Sequence, residues 1–360
     1  MSVEEDYLCL HEFPDTARRT LKPELWQYLL GATETETTAK RNRLALDTLA
    51  FRKKVLRDVR KVDCSTEFFG AKLQLPVMLA PIGGLDDLHP EGGKAVSRGV
   101  EAAGAMYMHS YVGRSPIPDC RAAAPDAELG FSLYIRGGDD WIDEYVKQAV
   151  DAGFRFFGIT VDSAVYSRRE RDISARFAKP WRVGTDDTRH YQAGFDWDAV
   201  KRFRDRHPDV RLVLKGIEDP ADAEMALDVG SAAIYVSNHG GRQLDHGIGS
   251  ISAMKEIIQQ VRGRAPVIVG GAICRGSDVV KALCLGADMV AIGRLYGYAL
   301  SAAGAEGVTR MLQLLQEEIH EVMALLGVTS LSELGPEFLV SAPPVVEPHQ
   351  LSAFPLINRE

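Results

Sequence analysis

The amino-acid sequence predicts an α/β chain folded as a (β/α)8 TIM barrel, with a helical extension before the barrel and a helix plus an extended tail after it. Three observations carry that prediction. Eight short β-rich runs recur between about Leu75 and Leu300. The stretches between them hold apolar residues at helical spacing and mostly stop at glycine, the pattern of repeated βα units around a parallel sheet. The length of 360 residues suits one large barrel with additional helices.

Taken in order, residues 15–57 read as helical. The eight runs follow at 76–80 (PVMLA), 105–110 (AMYMHS), 129–135 (LGFSLYI), 156–161 (FFGITV), 211–215 (RLVLK), 232–237 (AAIYVS), 266–270 (PVIVG) and 288–292 (DMVAI). Between them, EGGKAVSRGVEAAG, DDWIDEYVKQAVDAG, ADAEMALDVG and GSDVVKALCLG read as crossover helices, because a glycine supplies the left-handed residue that ends a helix. Residues 304–326 form an amphipathic helix, and the tail from Ser341, with its clustered prolines, reads as an extended arm. The expected organisation is one domain over 1–360, with the barrel at about 75–300, N-terminal helices at 15–57 and the C-terminal helix and tail at 304–360. Met106, Tyr107 and Met108 read as packing residues.

Composition narrows the function. An apolar fraction of 46% with 26% charged residues is that of a globular protein with a substantial core. The formal charge of −8 argues against nucleic acid or an anionic membrane as a partner. Five cysteines without a Cys-x-x-Cys pair fit reduced thiols rather than a disulfide framework or a metal site. The acidic start MSVEEDYLCLHEFPD lacks the basic and apolar regions of a signal peptide, and there is no long uncharged apolar run. A soluble, cytoplasmic protein is the expectation.

In a barrel of this kind the chemistry lies at the C-terminal ends of the strands. The polar residues collected there are Ser110, Tyr134, Thr160, Asp162, Lys215, Ser237, Asn238, His239, Gly270, Gly271, Gly293 and Arg294. The densest string is Ser237-Asn238-His239-Gly240-Gly241-Arg242-Gln243-Leu244-Asp245. A histidine followed by two glycines marks a tight turn open to substrate, and Arg242 adds a planar, bidentate carboxylate binder.

That string, together with Ala80-Pro81, His89-Pro90-Glu91-Gly92, Thr160-Val161-Asp162, Arg168-Arg169-Glu170, Lys215-Gly216 and Gly293-Arg294, resembles the FMN-dependent 2-hydroxy acid dehydrogenase and oxidase family, which includes glycolate oxidase, lactate oxidase and mandelate dehydrogenase. The resemblance spans roughly Leu25 to Leu334. It implies FMN as cofactor and oxidation of a 2-hydroxy acid to the 2-oxo acid, with flavin N5 as hydride acceptor. His239 would be the base, Asp162 its carboxylate partner, raising the imidazole pKa and fixing its tautomer, and Tyr134 the hydrogen-bond donor to the reacting oxygen. Arg242, Arg169 and residue 27 would hold the substrate carboxylate, and Lys215 would place a cation beside the flavin. Ala80, Pro81, Ile82, Ser110, Ser132, Thr160 and Ser237 would contact the isoalloxazine ring. Gly270, Gly271, Gly293 and Arg294 would receive the ribityl phosphate. The electron acceptor would be oxygen or another carrier, and a homo-oligomer such as a tetramer would be expected.

The sequence departs from the family pattern in several places. Counted back from Gly31, Gln27 stands where the family has a carboxylate-binding tyrosine, with Tyr28 next to it. The ribityl- and phosphate-binding Asp-Gly-Gly and its arginine appear as Gly270-Gly271-Ala272 and Cys274, and Ser132 replaces a ring-contacting glutamine. Gly83 stands where the family has an alanine or glycine facing the flavin, and the resemblance at this position is to the dehydrogenase-like members, which use glycine. The lid segment between Phe177 and Trp197 is short. These departures leave two alternatives beside 2-hydroxy acid oxidation: a tailoring oxidase acting on a bulkier natural product or modified peptide, and an inactive flavin-binding homologue.

Overall fold

The computed structural model describes residues 2–177 and 188–357. Eight parallel strands close into a barrel: β1 (Val77–Leu79), β2 (Met106–Ser110), β3 (Glu128–Leu133), β4 (Phe157–Thr160), β5 (Leu212–Ile217), β6 (Ala233–Val236), β7 (Val267–Gly270) and β8 (Met289–Ile292). Each strand pairs with its sequence neighbour, and β8 pairs with β1 through Val290 and Val77. All eight fall on runs recognised in the sequence, because continuous apolar runs are what a sheet buried on both faces requires.

Alternation along these strands divides the core in two. Met78, Met106, Met108, Val213, Tyr235, Ile268 and Met289 fill the barrel interior. Their neighbours, such as Tyr107, Leu129, Leu214 and Val290, pack against the surrounding helices. Met106, Tyr107 and Met108 are fully buried, as packing residues should be. A hairpin of Thr66–Phe68 and Ala71–Leu73 contributes Phe68, Ala71 and Leu73 to the interior cluster.

The N-terminal extension is helical at Glu12–Thr20, Pro23–Leu30 and Thr37–Asp47. The helical reading of 15–57 fails beyond that point: Leu49–Phe51 is a strand paired antiparallel with Leu339–Ser341. Its partner lies almost 300 residues away in sequence, and local periodicity holds no information about such a pairing. The extension is tied to the barrel by a buried ion pair, in which Arg43 Nη1 and Nη2 each donate to Asp278 at 2.7 Å. Asp278 also accepts the Cys274 and Arg275 amides at the start of the helix Gly276–Cys284.

The helix after β8 runs Arg294–Leu326 with a break at Ala303 and Gly304, so the helix expected from 304 is its second half. Among the described residues the tail beyond Ser341 has no helix or strand, yet it folds back. Phe354 is fully buried, and Leu351, Phe354 and Ile357 border Trp26 and Leu30 of the N-terminal helix.

Candidate active site

Three adjacent strands bring an acid, a cation and a base together. Asp162 follows β4, Lys215 lies in β5 and His239 follows β6. His239 Nδ1 is 3.0 Å from Asp162 Oδ1, and Lys215 Nζ is 3.3 Å from Asp162 Oδ2. Lys215 Nζ also lies 3.2 Å from His239 Nδ1. The Asp162 carboxylate can only accept, so Nδ1 carries its hydrogen toward Asp162; the Lys215 ammonium can only donate, and its contact with the protonated Nδ1 is electrostatic. That tautomer leaves the Nε2 lone pair to accept from the Tyr134 hydroxyl at 3.0 Å.

Backbone geometry sets this arrangement. His239 has φ of 59°, a left-handed conformation uncommon outside glycine, and its amide donates to Ser237 Oγ at 3.0 Å. Asn238 fastens the turn to the N-terminal extension through two reciprocal 2.8 Å bonds with Asn42. Gly216, at φ 116°, lets β5 pass Asp162, since a Cβ there would stand 2.5 Å from the aspartate Cβ.

The electrostatics differ from the sequence expectation in one respect. Asp162 was expected to raise the His239 pKa, but burial first and Lys215 second outweigh it and hold the imidazole at about 4. Burial alone would raise the Asp162 carboxyl, but the charges of Lys215 and His239 keep it below the ordinary carboxylate range. Burial and Asp162 together push the Tyr134 phenol up. At neutral pH the cluster therefore holds a carboxylate, a neutral imidazole and a phenol that keeps its proton.

A cavity opens above these groups. Its walls include Tyr134, Arg169, His239 and Arg242 together with Ala80, Pro81, Ile82, Gly83, Lys215, Ser237, Gly270, Gly271, Gly293 and Arg294. Gln27 is not among them. Its amide oxygen accepts from Arg171 at 2.8 Å on the outer side of the helix, whereas Tyr28 lines the cavity, donates to the Gly83 carbonyl at 2.8 Å and lies 5.0 Å from the Arg242 guanidinium. The aromatic that this helix brings to the cavity is thus Tyr28: one residue along a helix turns a side chain by about 100°.

Ser110, Ser132 and Thr160 stand at the strand ends as expected but do not line the cavity. Ser132 and Thr160 share a 3.0 Å hydrogen bond, and Ser110 Oγ accepts from the Val112 amide. Of the lid segment, 178–187 lie outside the described residues. Beyond them Gln192 is buried, bonding the Ile135 amide and the Thr160 carbonyl. The sequence reading also missed Arg136 and Tyr166, joined by a 2.7 Å hydrogen bond at the cavity wall, and Gln350, which the tail delivers to the same cavity. Position at a strand end would have suggested Arg136, two residues beyond Tyr134; nothing local marks Gln350.

The walls fit FMN. At one end Gly293 opens the start of the long helix: a Cβ there would meet nothing within 4 Å. A helix N-terminus is a ready phosphate site. Arg294 and Arg242 both donate to the Gly31 carbonyl beside it. Burial first and the neighbouring Arg242 charge second lower the Arg294 pKa to about 10, so an anion there would favour the charged form of Arg294. Lys215, in the same walls, supplies a buried cation.

The profile of the FMN-dependent dehydrogenase family matches residues 17–341. Glycolate oxidase 1 of Zea mays is 34% identical over 96% of this chain and 97% of that protein. Glycolate oxidase 3 of Arabidopsis thaliana is also 34% identical, over 90% of this chain and 93% of its own length. Among solved structures, mandelate oxidase with benzoyl-formic acid superposes with a TM-score of 0.86 at 35% identity, covering 94% of this chain and all of that one. Matches of this extent, on a closed eight-stranded barrel with the Asp162, Lys215 and His239 cluster at its mouth, show that the chain belongs to the FMN-dependent dehydrogenase family.

Proposed function

We propose that the protein oxidises a small 2-hydroxy acid to the 2-oxo acid at the cavity above His239. The observation that carries this reading is the line from Asp162 through the His239 ring to the Tyr134 hydroxyl, at 3.0 Å on each side of the imidazole. FMN, when bound, supplies the acceptor for the two electrons that leave the substrate carbon.

His239 Nε2 accepts a proton from the substrate, and Asp162 stabilises the imidazolium that results, because a buried carboxylate at hydrogen-bond distance favours the charged ring. Tyr134 keeps its own proton and donates a hydrogen bond to the reacting oxygen. Arg242 and Arg169 hold the substrate carboxylate; the Arg169 Nε–H also donates to the Arg242 carbonyl at 3.4 Å, linking the two. Tyr28, under Arg242, walls the carboxylate end. Lys215 keeps Asp162 ionised and His239 neutral until the proton moves.

The test is the visible spectrum of the purified protein under anaerobic conditions, before and after glycolate, lactate or mandelate is added. Bleaching of a bound flavin by at least one 2-hydroxy acid is expected. A protein that binds FMN but is reduced by none of a broad panel of them would overturn the substrate class.

A further inference from the structure

We infer that two tyrosyl hydroxyls, those of Tyr235 and Tyr298, bind the ribityl chain and the phosphate of FMN, taking over from the carboxylate and the cation that Gly270 and Cys274 do not supply. The inference rests on FMN being the cofactor and concerns how this chain holds it.

Tyr235 lies in β6, in register with Lys215 of β5, and its ring faces the barrel interior with Lys215 Nζ 5.8 Å from its centroid. Its side chain lines the cavity, on the side of β7. A Cβ built on Gly270 would stand 3.5 Å from the Tyr235 hydroxyl, so that hydroxyl occupies the neighbourhood a side chain at 270 would otherwise command. Ribityl hydroxyls are neutral donors and acceptors, and a phenol can serve them in either sense.

Tyr298 lies in the helix that begins at Arg294, four residues on and therefore on the same face as that arginine. Long side chains on a helix lean back toward its N-terminus, which directs the phenol toward Arg294 at the helix start; Gly293, Arg294 and Cys274 border the cavity there, and Tyr298 itself does not. The residue is fully buried, and its hydroxyl has no hydrogen-bond partner among the described residues. Trp26 and Phe354 wall it off, with ring centroids 5.5 and 6.5 Å away. The positive charges of Arg294 and Arg242 act on it, and the Cys274 thiol is close enough to do so too. Burying a hydroxyl without a partner is costly, and a phosphate at the helix N-terminus would accept its hydrogen.

Three flavins separate the contacts: lumiflavin carries the ring alone, riboflavin adds the ribityl chain and FMN adds the phosphate. Their affinities for full-length, flavin-depleted wild type, Tyr298→Phe and Tyr235→Phe would be read by quenching of flavin fluorescence. Tyr298→Phe is expected to weaken FMN by roughly ten- to a hundredfold, the range for a hydrogen bond to a charged group, and to leave riboflavin and lumiflavin unchanged. Tyr235→Phe is expected to weaken FMN and riboflavin alike, by about threefold to tenfold, and to spare lumiflavin. Cys274→Arg added to Tyr298→Phe should recover FMN affinity.

Melting separates a structural role. Removing a hydroxyl that has no partner should leave the flavin-depleted Tm of Tyr298→Phe equal to or above that of wild type, while the rise in Tm on adding FMN shrinks. An unchanged FMN affinity, an equal loss for all three flavins, or a variant that melts early or fails to fold would each overturn the assignment of Tyr298. Equal loss of lumiflavin would do the same for Tyr235. Wild type that binds riboflavin but gains nothing from the phosphate would instead remove the FMN reading itself.

Discussion

The acid side of the pH profile tests the electrostatics of the cluster most directly. Burial and Lys215 hold the His239 pKa at about 4 against the opposing pull of Asp162. A base must be unprotonated to act, so activity is lost as pH falls through that value. With an ordinary pKa of ~6.5, only about a tenth of the imidazole would be free at pH 5.5; with the depressed value nearly all of it is. The value of kcat/KM, which reports the free enzyme, should therefore differ by no more than roughly 10% between pH 7.5 and 5.5. Its fall should begin only as pH approaches that of the depressed group. Lys215→Met removes the cation 3.2 Å from Nδ1, so its acid limb should move up toward the ordinary histidine value. The assay is anaerobic stopped-flow reduction of the bound flavin across this range, with flavin occupancy checked by absorbance at each pH. A tenfold fall in the wild type by pH 5.5, or a limb that Lys215→Met does not move, would show that the cation does not set the basicity of His239.

Three further outcomes are expected. His239→Gln should slow flavin reduction by about 10²- to 10⁴-fold with the flavin still bound, because only proton removal is lost; stopped-flow traces and the absorbance spectrum check both parts. Arg242→Lys should raise KM as well as lower kcat in steady-state assays, since a point charge cannot reproduce a bidentate grip on a carboxylate. Arg43→Ala leaves Asp278 charged and buried, and chemical denaturation should show a loss of about 3–5 kcal/mol.

The barrel was legible because each of its strands is a short apolar run closed by polar residues, a signal carried within a few positions. The cluster of Asp162, Lys215 and His239 was legible for the same reason, as strand-end residues on neighbouring strands. Gln27 was misplaced because counting from Gly31 fixes a distance along the chain but not a direction around the helix. Leu49–Phe51 was misread because its partner strand lies near the other end of the chain. Tyr235 and Tyr298 escaped notice since a tyrosine inside an apolar run looks like packing until its hydroxyl is located. The depressed pKa of His239 depends first on burial and then on the opposed charges of Lys215 and Asp162, which only three dimensions supply.

The docking of the N-terminal extension bears on the order in which the chain becomes a folded protein. Arg43 needs Asp278, and Gly31 receives Arg242 and Arg294, so the segment made first finds its partners among the last parts of the barrel. At ~5–20 residues per second, synthesis leaves an interval on the order of ten to fifty seconds between the emergence of Arg43 and that of Asp278. Through that interval Trp26 and Leu29, both buried in the finished protein, lack the partners that Tyr298 and Gly297 of the late helix supply. A chain that stops before β8 never makes the helix against which these first helices pack.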